Sequence, residues 1–525
     1  MASLGVSFNR VDECVHWYAR RSPATQALVQ DGERLSYRDV SQLVERYAAG
    51  LVASGVRRGD RVAVLGYSRS ECLLALLGVV SIGATYVGLN PKHSDRELLY
   101  VMEDVEPSIV FDMLADGPSL EGRLGRMGYA SSPRVLYRLP QRGPVGSSLD
   151  EFLQAVNGTD EALIAARACV EPTDTAVIIH TSGSTGFPKG AMLSHRALCA
   201  NTPILARKAA GRGVAQRTLC DYPINHVSFV HETCLGSLFL GGTVVFRERF
   251  DPGETLRLIE RERLNVWWGA PMMLAACAET LEFASCDLTS VARIVCAGGT
   301  ITPELIMRLR ERTGAVVRTG WGMSETVGLG TMTDDAADPE TVATTVGHPD
   351  PELELRIVSA ASQAASDDTP GEIVVRSAYL FSGYYNRPDA TAEVLDDEGF
   401  LHTGDLALDR GDGNLRLVGR IKEMYKSGGY NVYPAEVERV LVDQPEVAAV
   451  SVVGIPDETW GEVGVAFIVP APGSRLTPEW LRDCCTAELA NYKIPKRFVF
   501  AEELPTLSNG KVDRLTLRRQ AAADT

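Results

Sequence analysis

The 525-residue chain is short of positive charge: 52 lysines and arginines face 68 aspartates and glutamates, for a formal net charge of −16. Nucleic-acid binding needs basic stripes along a phosphate backbone, so this balance argues against a nucleic-acid partner. A local basic site for a small anion remains compatible with it. Paired cysteines are missing as well. The 11 cysteines are scattered, odd in number and nowhere spaced C-x-x-C, which argues against a disulfide framework and a structural zinc site. Reduced thiols in a cytoplasmic protein are the expectation. No run of about 18 or more apolar residues occurs, so no membrane span is expected. The start, MASLGVSFNR, lacks a basic region followed by an apolar one and reads as no signal peptide. No repeat at fixed spacing and no long low-complexity tract is found.

What is present is a chain that is 45% hydrophobic, enough to bury a large core and long enough for more than one domain. Short apolar runs, RVAVLG (61–66), TAVIIH (175–180), TVVFR (243–247), NVWWGA (265–270) and RIVCAGG (293–299), read as buried strands. Segments with helical spacing alternate with them, among them SECLLALLGVVSIGA (70–84) and PELIMRLRERTG (303–314), the latter closed by cations and a glycine. The alternation predicts α/β layers with largely parallel sheets. After about residue 345, PELELRIV, GEIVVR and NLRLVG alternate apolar and polar residues, as antiparallel strands with one solvated face do. GRIKEMYKSGGYNVYP (419–434) breaks that rhythm, and a helix, two strands and a second helix follow. A domain boundary is placed there, giving an N-terminal domain over 1–420 and a small C-terminal one over 421–525.

TSGSTGFPKG (181–190) has the composition of a phosphate-binding loop. It is no Walker A loop, because Pro188 precedes Lys189 and Gly190 follows it, so the hydroxyl that would hold magnesium beside the lysine is absent. It follows an apolar strand and precedes a helix expected to begin near Ser194, whose hydroxyl can cap it. Backbone N–H groups freed by Gly183 and Gly186, the hydroxyls of Ser182, Ser184 and Thr185, and the charge of Lys189 suit phosphate oxygens. Composition alone also fits an ordinary surface loop.

TSGSTGFPKGAMLSH resembles the phosphate-loop signature of adenylate-forming enzymes, the superfamily of acyl- and aryl-CoA synthetases, adenylation domains and beetle luciferases. GWGMSET (320–326), GYYNRPDATAEVLDDEGFLHTGDLA (383–407), GRIKEMYKSGGYNVYPAEVE (419–438) and PTLSNGKVDR (505–514) resemble its further blocks, in the same order. LSYRDV (35–40) and GATYVGLNP (83–91) fit upstream, so the resemblance spans nearly the whole chain.

The resemblance implies a fold and a reaction. The fold is a large N-terminal domain of α/β layers with a small β-barrel-like part, followed by a small mobile α+β C-terminal domain. In the reaction, a carboxylate attacks the α-phosphorus of ATP to give an acyl adenylate and pyrophosphate, and a thiol then displaces AMP. Both first-step reactants are anions, so catalysis consists of charge neutralisation and alignment. By the resemblance, the loop from Thr181 to Lys189 holds the departing phosphates. Glu325 stands near Mg2+, and Ser324 faces the α-phosphate or acyl carboxyl. Trp321 lies against adenine with Gly320, Gly322 and Met323 around it. Gly298, Gly299 and Thr300 let adenine approach the backbone, with Thr300 where many members have proline. Asp405 and Arg420 bind ribose or phosphate. Lys511 bridges carboxylate and α-phosphate. Lys422 is the hinge, at a position that is Asp in many members. Lys426, Ser427, Gly428 and Gly429 line the tunnel for the pantetheine arm of coenzyme A.

For the acyl pocket the resemblance implies His226 and Val227 in DYPINHVSFVHE (221–232), and Trp268, Gly269 and Met273 in WWGAPMM, with Gly298 and Gly320 beside them. Taken singly, such a histidine or tryptophan is as readily a core residue. No acidic or basic partner for a substrate side chain stands out, which favours a hydrophobic or aromatic acid over an amino acid. The expected activity is therefore an acid–CoA ligase using ATP, Mg2+ and coenzyme A. The alternatives are an enzyme loading a carrier-protein phosphopantetheine and a catalytically silent nucleotide-binding regulator. No carrier domain is seen in the chain, and it ends AADT without a peroxisomal tripeptide. A homodimer stays open.

Overall fold

The computed structural model describes residues 7–131, 133–138, 148–154, 161–181, 188–358, 370–506 and 512–523. The chain forms two compact units, Met1–Pro339 with Ser377–Leu395, and Glu340–Arg376 with Asp396–Thr525.

The first unit is built on parallel sheets. A six-stranded sheet runs in the spatial order Arg134–Tyr137, Ile109–Asp112, Arg61–Leu65, Thr85–Leu89, Thr175–Thr181, Lys189–Ser194. Every pair is parallel except the last. Its central strand Thr85–Leu89 is buried throughout, as a parallel strand covered on both faces must be. The helix Ser70–Ser81 is apolar on nearly all sides and buried from Cys72 to Ser81, the mark of a helix inside the fold rather than on its surface. It meets the helix Tyr37–Ala53 so closely that a Cβ on Gly78 would lie 2.4 Å from the Cβ of Tyr47. Only glycine permits that approach. A second, mostly parallel sheet joins Glu33–Ser36, Gln26–Gln30, Thr243–Phe246 and Arg217–Cys220, and a third joins Val266–Gly269, Arg293–Ala297 and Val316–Gly320. The strands expected from sequence all appear, as do the helices Ser70–Ser81 and Pro303–Thr313, the latter ending on Gly314 with φ of +72°.

The second unit opens with an antiparallel sheet ordered Glu354–Val358, Gly371–Arg376, Leu401–Asp409, Leu415–Arg420. The barrel-like part expected from the resemblance is not formed: the first and last of these strands are unpaired to each other, and no sheet among the described residues closes. Four strands give too short a circumference to enclose a packed interior. The remainder is α+β. Strands Val447–Asp457 and Gly461–Pro470 pair along their length, Arg497–Phe500 adds in parallel, and helices Pro434–Val442 and Pro478–Glu488 pack over an apolar core of Tyr425, Val437, Leu441, Val452, Ile468 and Leu481. The sequence boundary at Lys422 lies within this unit. All 11 cysteines are free, and no helix among the described residues is long and apolar enough to cross a membrane.

Candidate functional site

In the first unit, the glycine-rich segment hangs from a hairpin. Strand Thr175–Thr181 turns back as Lys189–Ser194, with Thr181 opposite Lys189. Ser182, Gly183, Ser184, Thr185 and Gly186 lie outside the described residues. The sequence suggests strand, loop, helix; the structure inserts a strand before the helix. That helix, His195–Ala210, does start where expected, with Ser194 Oγ accepting from the Ala197 N–H at 3.2 Å. The six-residue strand Lys189–Ser194 stands in the chain between the glycine-rich segment and this helix. The stem of the loop is tied down by side chains. His180 Nε2 lies 3.1 Å from Asp104 Oδ2, and Arg387 Nη2 lies 2.9 Å from Asp104 Oδ1.

The third sheet supplies the other face of the candidate site. Its three parallel strands end in register: Gly269 pairs with Cys296, and Ala297 with Gly320. The segments that leave these carboxyl ends are Gly269–Ala270, Gly298–Thr300 and Trp321–Ser324. In open α/β sheets, ligands bind outside the carboxyl ends of the strands. Gly298, Gly299 and Thr300 are exposed, Gly298 with φ of +88°. Gly299 lies against Pro271, the first residue of the helix that carries Met273. Trp268 packs with Leu205, Val266, Val295 and Leu329, and its Nε1 is buried without a hydrogen-bond partner. Trp321 is buried, its carbonyl accepting from the N–H groups of Gly330 and Thr331.

Glu325 sits in a tight, strained turn. Gly322 and Met323 pair with Leu329 and Gly328, and a Cβ on Gly322 would strike the Gly328 carbonyl at 2.0 Å. Val327, between the 3-10 turn Ser324–Thr326 and Gly328, has φ of +57°, a conformation that a β-branched residue adopts only when its surroundings compel it. Asn201, from the helix His195–Ala210, does the compelling: its Nδ2 donates to the carbonyls of Val327 at 3.0 Å and Thr326 at 3.4 Å. Glu325 itself is 4% exposed and accepts from the Tyr384 hydroxyl at 2.8 Å. Burial and the adjacent carboxylate push the Tyr384 phenol well up, so it acts as a donor to Glu325. The Tyr384 ring lies 5.2 Å from Lys189 Nζ. The backbone of this segment is stitched to the loop hairpin, since Tyr385 N–H donates to Gly190 O at 2.8 Å and Phe381 N–H to Glu325 O at 2.9 Å. The hairpin of the glycine-rich loop and the GWGMSE turn are therefore brought to one place.

His226 precedes a π-helix, Ser228–Leu235, and its Nδ1 accepts from the Ser228 N–H at 3.1 Å. Val227 is buried beside it. Extended π-helical geometry is rare and concentrates at functional sites.

The remaining candidates belong to the second unit. Asp405 and Arg420 face each other across neighbouring antiparallel strands, with Arg420 Nε donating to Asp405 Oδ1 at 2.7 Å. Asp405 is 5% exposed. Lys422 and Lys426 are exposed, Ser427 is buried, and Gly428 and Gly429 take φ of +59° and +84°. The Gly428 N–H donates to Trp460 O at 2.8 Å. Lys511 lies outside the described residues. Its neighbours are anchored: Thr506 bridges Val512, and Arg514 Nη1 lies 2.7 Å from Glu438 Oε1 and donates to Val452 O at 2.8 Å.

Comparison with known proteins fixes what this assembly of motifs is. The family described as AMP-binding enzyme matches residues 15–385, and the AMP-binding enzyme C-terminal domain matches residues 436–511. The chain belongs to the AMP-binding enzyme family. It is 36% identical to a feruloyl-CoA synthase of Amycolatopsis over 505 residues, covering 96% of this chain and 97% of the relative. It is 33% identical to an indoleacetate–CoA ligase of Aromatoleum aromaticum over 519 residues, covering 98% and 99%. Among solved structures, the amide bond synthetase McbA of Marinactinospora thermotolerans superposes with a TM-score of 0.85 at 31% identity, covering 97% of this chain and 99% of that one.

In this AMP-binding enzyme, reading the sequence missed three features of the first unit. Tyr384 stands in the GYYNRPD block, which carries the resemblance, yet nothing local marks it as a partner of Glu325. Asn201 lies in the helix expected to begin near Ser194, where nothing local marks it as a partner of the Glu325 turn. His231 and Glu232 follow His226 within HVSFVHE and are buried at 0% and 5% exposure. Two titratable residues in an apolar stretch were the available signal.

Proposed function

We propose that this AMP-binding enzyme activates a hydrophobic or aromatic carboxylic acid with ATP and passes the acyl group to coenzyme A. The carboxylate oxygen bonds to the α-phosphorus as pyrophosphate leaves; the thiolate sulfur then bonds to the carbonyl carbon as AMP leaves. The observation that carries the reading is the junction of Lys189, Tyr384 and Glu325. One ring joins the cation of the phosphate loop to the carboxylate of GWGMSE, as neutralising a polyanion through one fixed site requires. Glu325 is the carboxylate we assign to Mg2+. Among the described residues no group of three or more His, Cys, Asp or Glu is gathered for a metal, which fits an ion held by one carboxylate together with substrate phosphates and water.

Asp405 is the proposed ribose ligand, pre-oriented by Arg420, and Lys511 the proposed cation between carboxylate and α-phosphate. Lys422 is the proposed hinge, and Lys426–Gly429 the proposed wall for the pantetheine arm. An aromatic or otherwise apolar acid is supported by the cluster around Trp268 and by relatives named for feruloyl and indoleacetate substrates. Coenzyme A is favoured over a carrier-protein arm because relatives covering nearly the whole chain are named as CoA enzymes. Free thiols fit a reducing, cytoplasmic setting. The test is acid-dependent ATP–pyrophosphate exchange over aryl, bicyclic and fatty acids, followed by thioester formation with coenzyme A. Exchange with some acids and thioester from coenzyme A supports the reading; no exchange with any acid removes it.

A further inference from the structure

Asp104 stands in an unfavourable place for a carboxylate. It is the last residue but one of the helix Asp95–Val105, where the helix dipole opposes negative charge. Its side chain is only 4% exposed, and burying a carboxylate is costly unless it is paired and hydrogen-bonded. Both oxygens are taken, and by two different segments of the chain. Oδ2 lies 3.1 Å from His180 Nε2, and Oδ1 lies 2.9 Å from Arg387 Nη2. The backbone takes part as well, since Asn386 Nδ2 donates to Asp104 O at 3.3 Å. The helix end is itself fixed to the central sheet, where Arg61 Nε donates to Val105 O at 2.7 Å.

The two segments so joined are those that meet at the candidate site. His180 directly precedes Thr181 and pairs across the hairpin with Gly190, the neighbour of Lys189. A Cβ on Gly190 would lie 3.3 Å from His180 Nε2 and 2.7 Å from Ile178 Cγ2, so a glycine there gives the imidazole room over the second strand. His180 Nδ1 is buried without a partner among the described residues, which leaves Asp104 to orient the ring. Arg387 stands three residues beyond Tyr384, whose hydroxyl donates to Glu325 at 2.8 Å. Asp104 therefore ties the loop hairpin to the Tyr384 block through side chains, in parallel with the backbone bond from Tyr385 N–H to Gly190 O. Two segments joined by one hydrogen bond can pivot about it. A second, charged connection removes that freedom, as a preorganised site requires.

We propose that Asp104 is a positioning residue for the adenylation half-reaction: by holding His180 and Arg387 together, it fixes Lys189 and the stem of the phosphate loop relative to Glu325. The proposal rests on the acid-activating reading above and adds to it a group that touches no substrate. What Asp104 supports is the grip on the departing β- and γ-phosphates. Those phosphates are present only while ATP is consumed, and the acyl adenylate has lost them. Loss of Asp104 therefore weakens the first half-reaction and spares the second, whereas general loosening of the fold weakens both. Misplacement of positioning groups by about 1 Å is enough for a loss of about 100-fold in rate.

The experiment measures ATP–pyrophosphate exchange at varied ATP with whichever of cinnamate, naphthoate and decanoate the parent enzyme turns over. Thioester formation from the corresponding synthetic acyl adenylate and coenzyme A is measured separately. Asp104→Asn keeps the shape of the side chain but turns an amide N–H toward one of its two donors. It is expected to lower kcat/KM for ATP by roughly 10- to 100-fold, with the rise in KM for ATP the larger part. Transfer from the adenylate should stay within about threefold of the parent enzyme. His180→Gln, which keeps an N–H near the place of Nε2, is expected to retain most of the exchange that His180→Leu loses. Arg387→Met, at a side chain 40% exposed, should give the same split in milder form and serves if the Asp104 variant does not fold. Equal loss of both half-reactions, or exchange unchanged in Asp104→Asn and His180→Leu, overturns the proposal while leaving acid activation standing. Absence of exchange by the parent enzyme with every acid overturns the acid-activating reading itself, and the two failures are thereby told apart.

Discussion

Tyr384 donates its hydroxyl to Glu325 at 2.8 Å while presenting its ring to Lys189 Nζ at 5.2 Å. Tyr384→Phe keeps the ring and removes the donor. The buried carboxylate then loses a charge-assisted hydrogen bond, worth about 1.5–3 kcal/mol. The expected result is a fall in kcat for pyrophosphate exchange of roughly 10- to 100-fold, with a smaller change in KM for ATP. Tyr384→Leu, which also removes the face toward Lys189, is expected to raise the KM for ATP further. Steady-state exchange kinetics at varied ATP separate the two effects.

Lys511→Ala is expected to abolish adenylation while sparing thioester formation from a supplied acyl adenylate, because the proposed cation acts only while two anions approach each other. Parallel assays of pyrophosphate exchange and of coenzyme A transfer from synthetic adenylate check this. Equal loss of both half-reactions would count against separate arrangements for the two steps.

Asn201→Ala is expected to loosen the turn that carries Glu325. The substitution leaves the carbonyls of Thr326 and Val327 without their donor, a cost of about 1–3 kcal/mol, and frees Val327 to leave its left-handed conformation. A lower Tm accompanied by lower kcat is the expected outcome. Loss of stability with unchanged kcat would show that the strained turn is structural only.

Acid stability should reflect His195 as well. Its Nδ1 accepts from the Val11 N–H at 3.1 Å in the interior, and burial, opposed by Asp12, pushes it down to about 4. The unfolded imidazole titrates near about 6.5, so between those values the unfolded chain binds the extra proton and stability falls as pH drops. The contribution is on the order of 3 kcal/mol across the window. Denaturant titrations from pH 7 to pH 4 should show a shallower acid limb for His195→Asn, whose amide can still accept from Val11. Glu232 works in the opposite sense, since its raised value favours the native state at low pH, and Glu232→Gln should steepen that limb.

Local signals in the chain were enough for much of this molecule. Apolar runs marked the strands Arg61–Leu65, Thr175–Thr181 and Arg293–Ala297, and Ser194 marked the start of its helix. The order of the motif blocks was enough for the family, and it placed Glu325, Asp405 and Lys189 among the candidates. Each of these is a statement about residues close together in the chain, where spacing, capping and turn chemistry act directly. The local signal misled where one short segment had two local solutions: Lys189–Ser194 reads as the approach to a helix and is instead the returning strand of a hairpin.

Only the tertiary structure decided which side chains meet. Tyr384 reaches Glu325 across 59 positions of sequence, and Asn201 reaches the Val327 carbonyl across 126. His231 and Glu232 owe their loss of water to the segments packed around a π-helix, including Gly328 nearly a hundred residues further along the chain. Long-range contact depends on sheet order and on what covers each face, and no single window of sequence encodes either. The local pattern therefore named the chemistry, while burial and proximity, which set its charge states and partners, arose only when distant segments packed together.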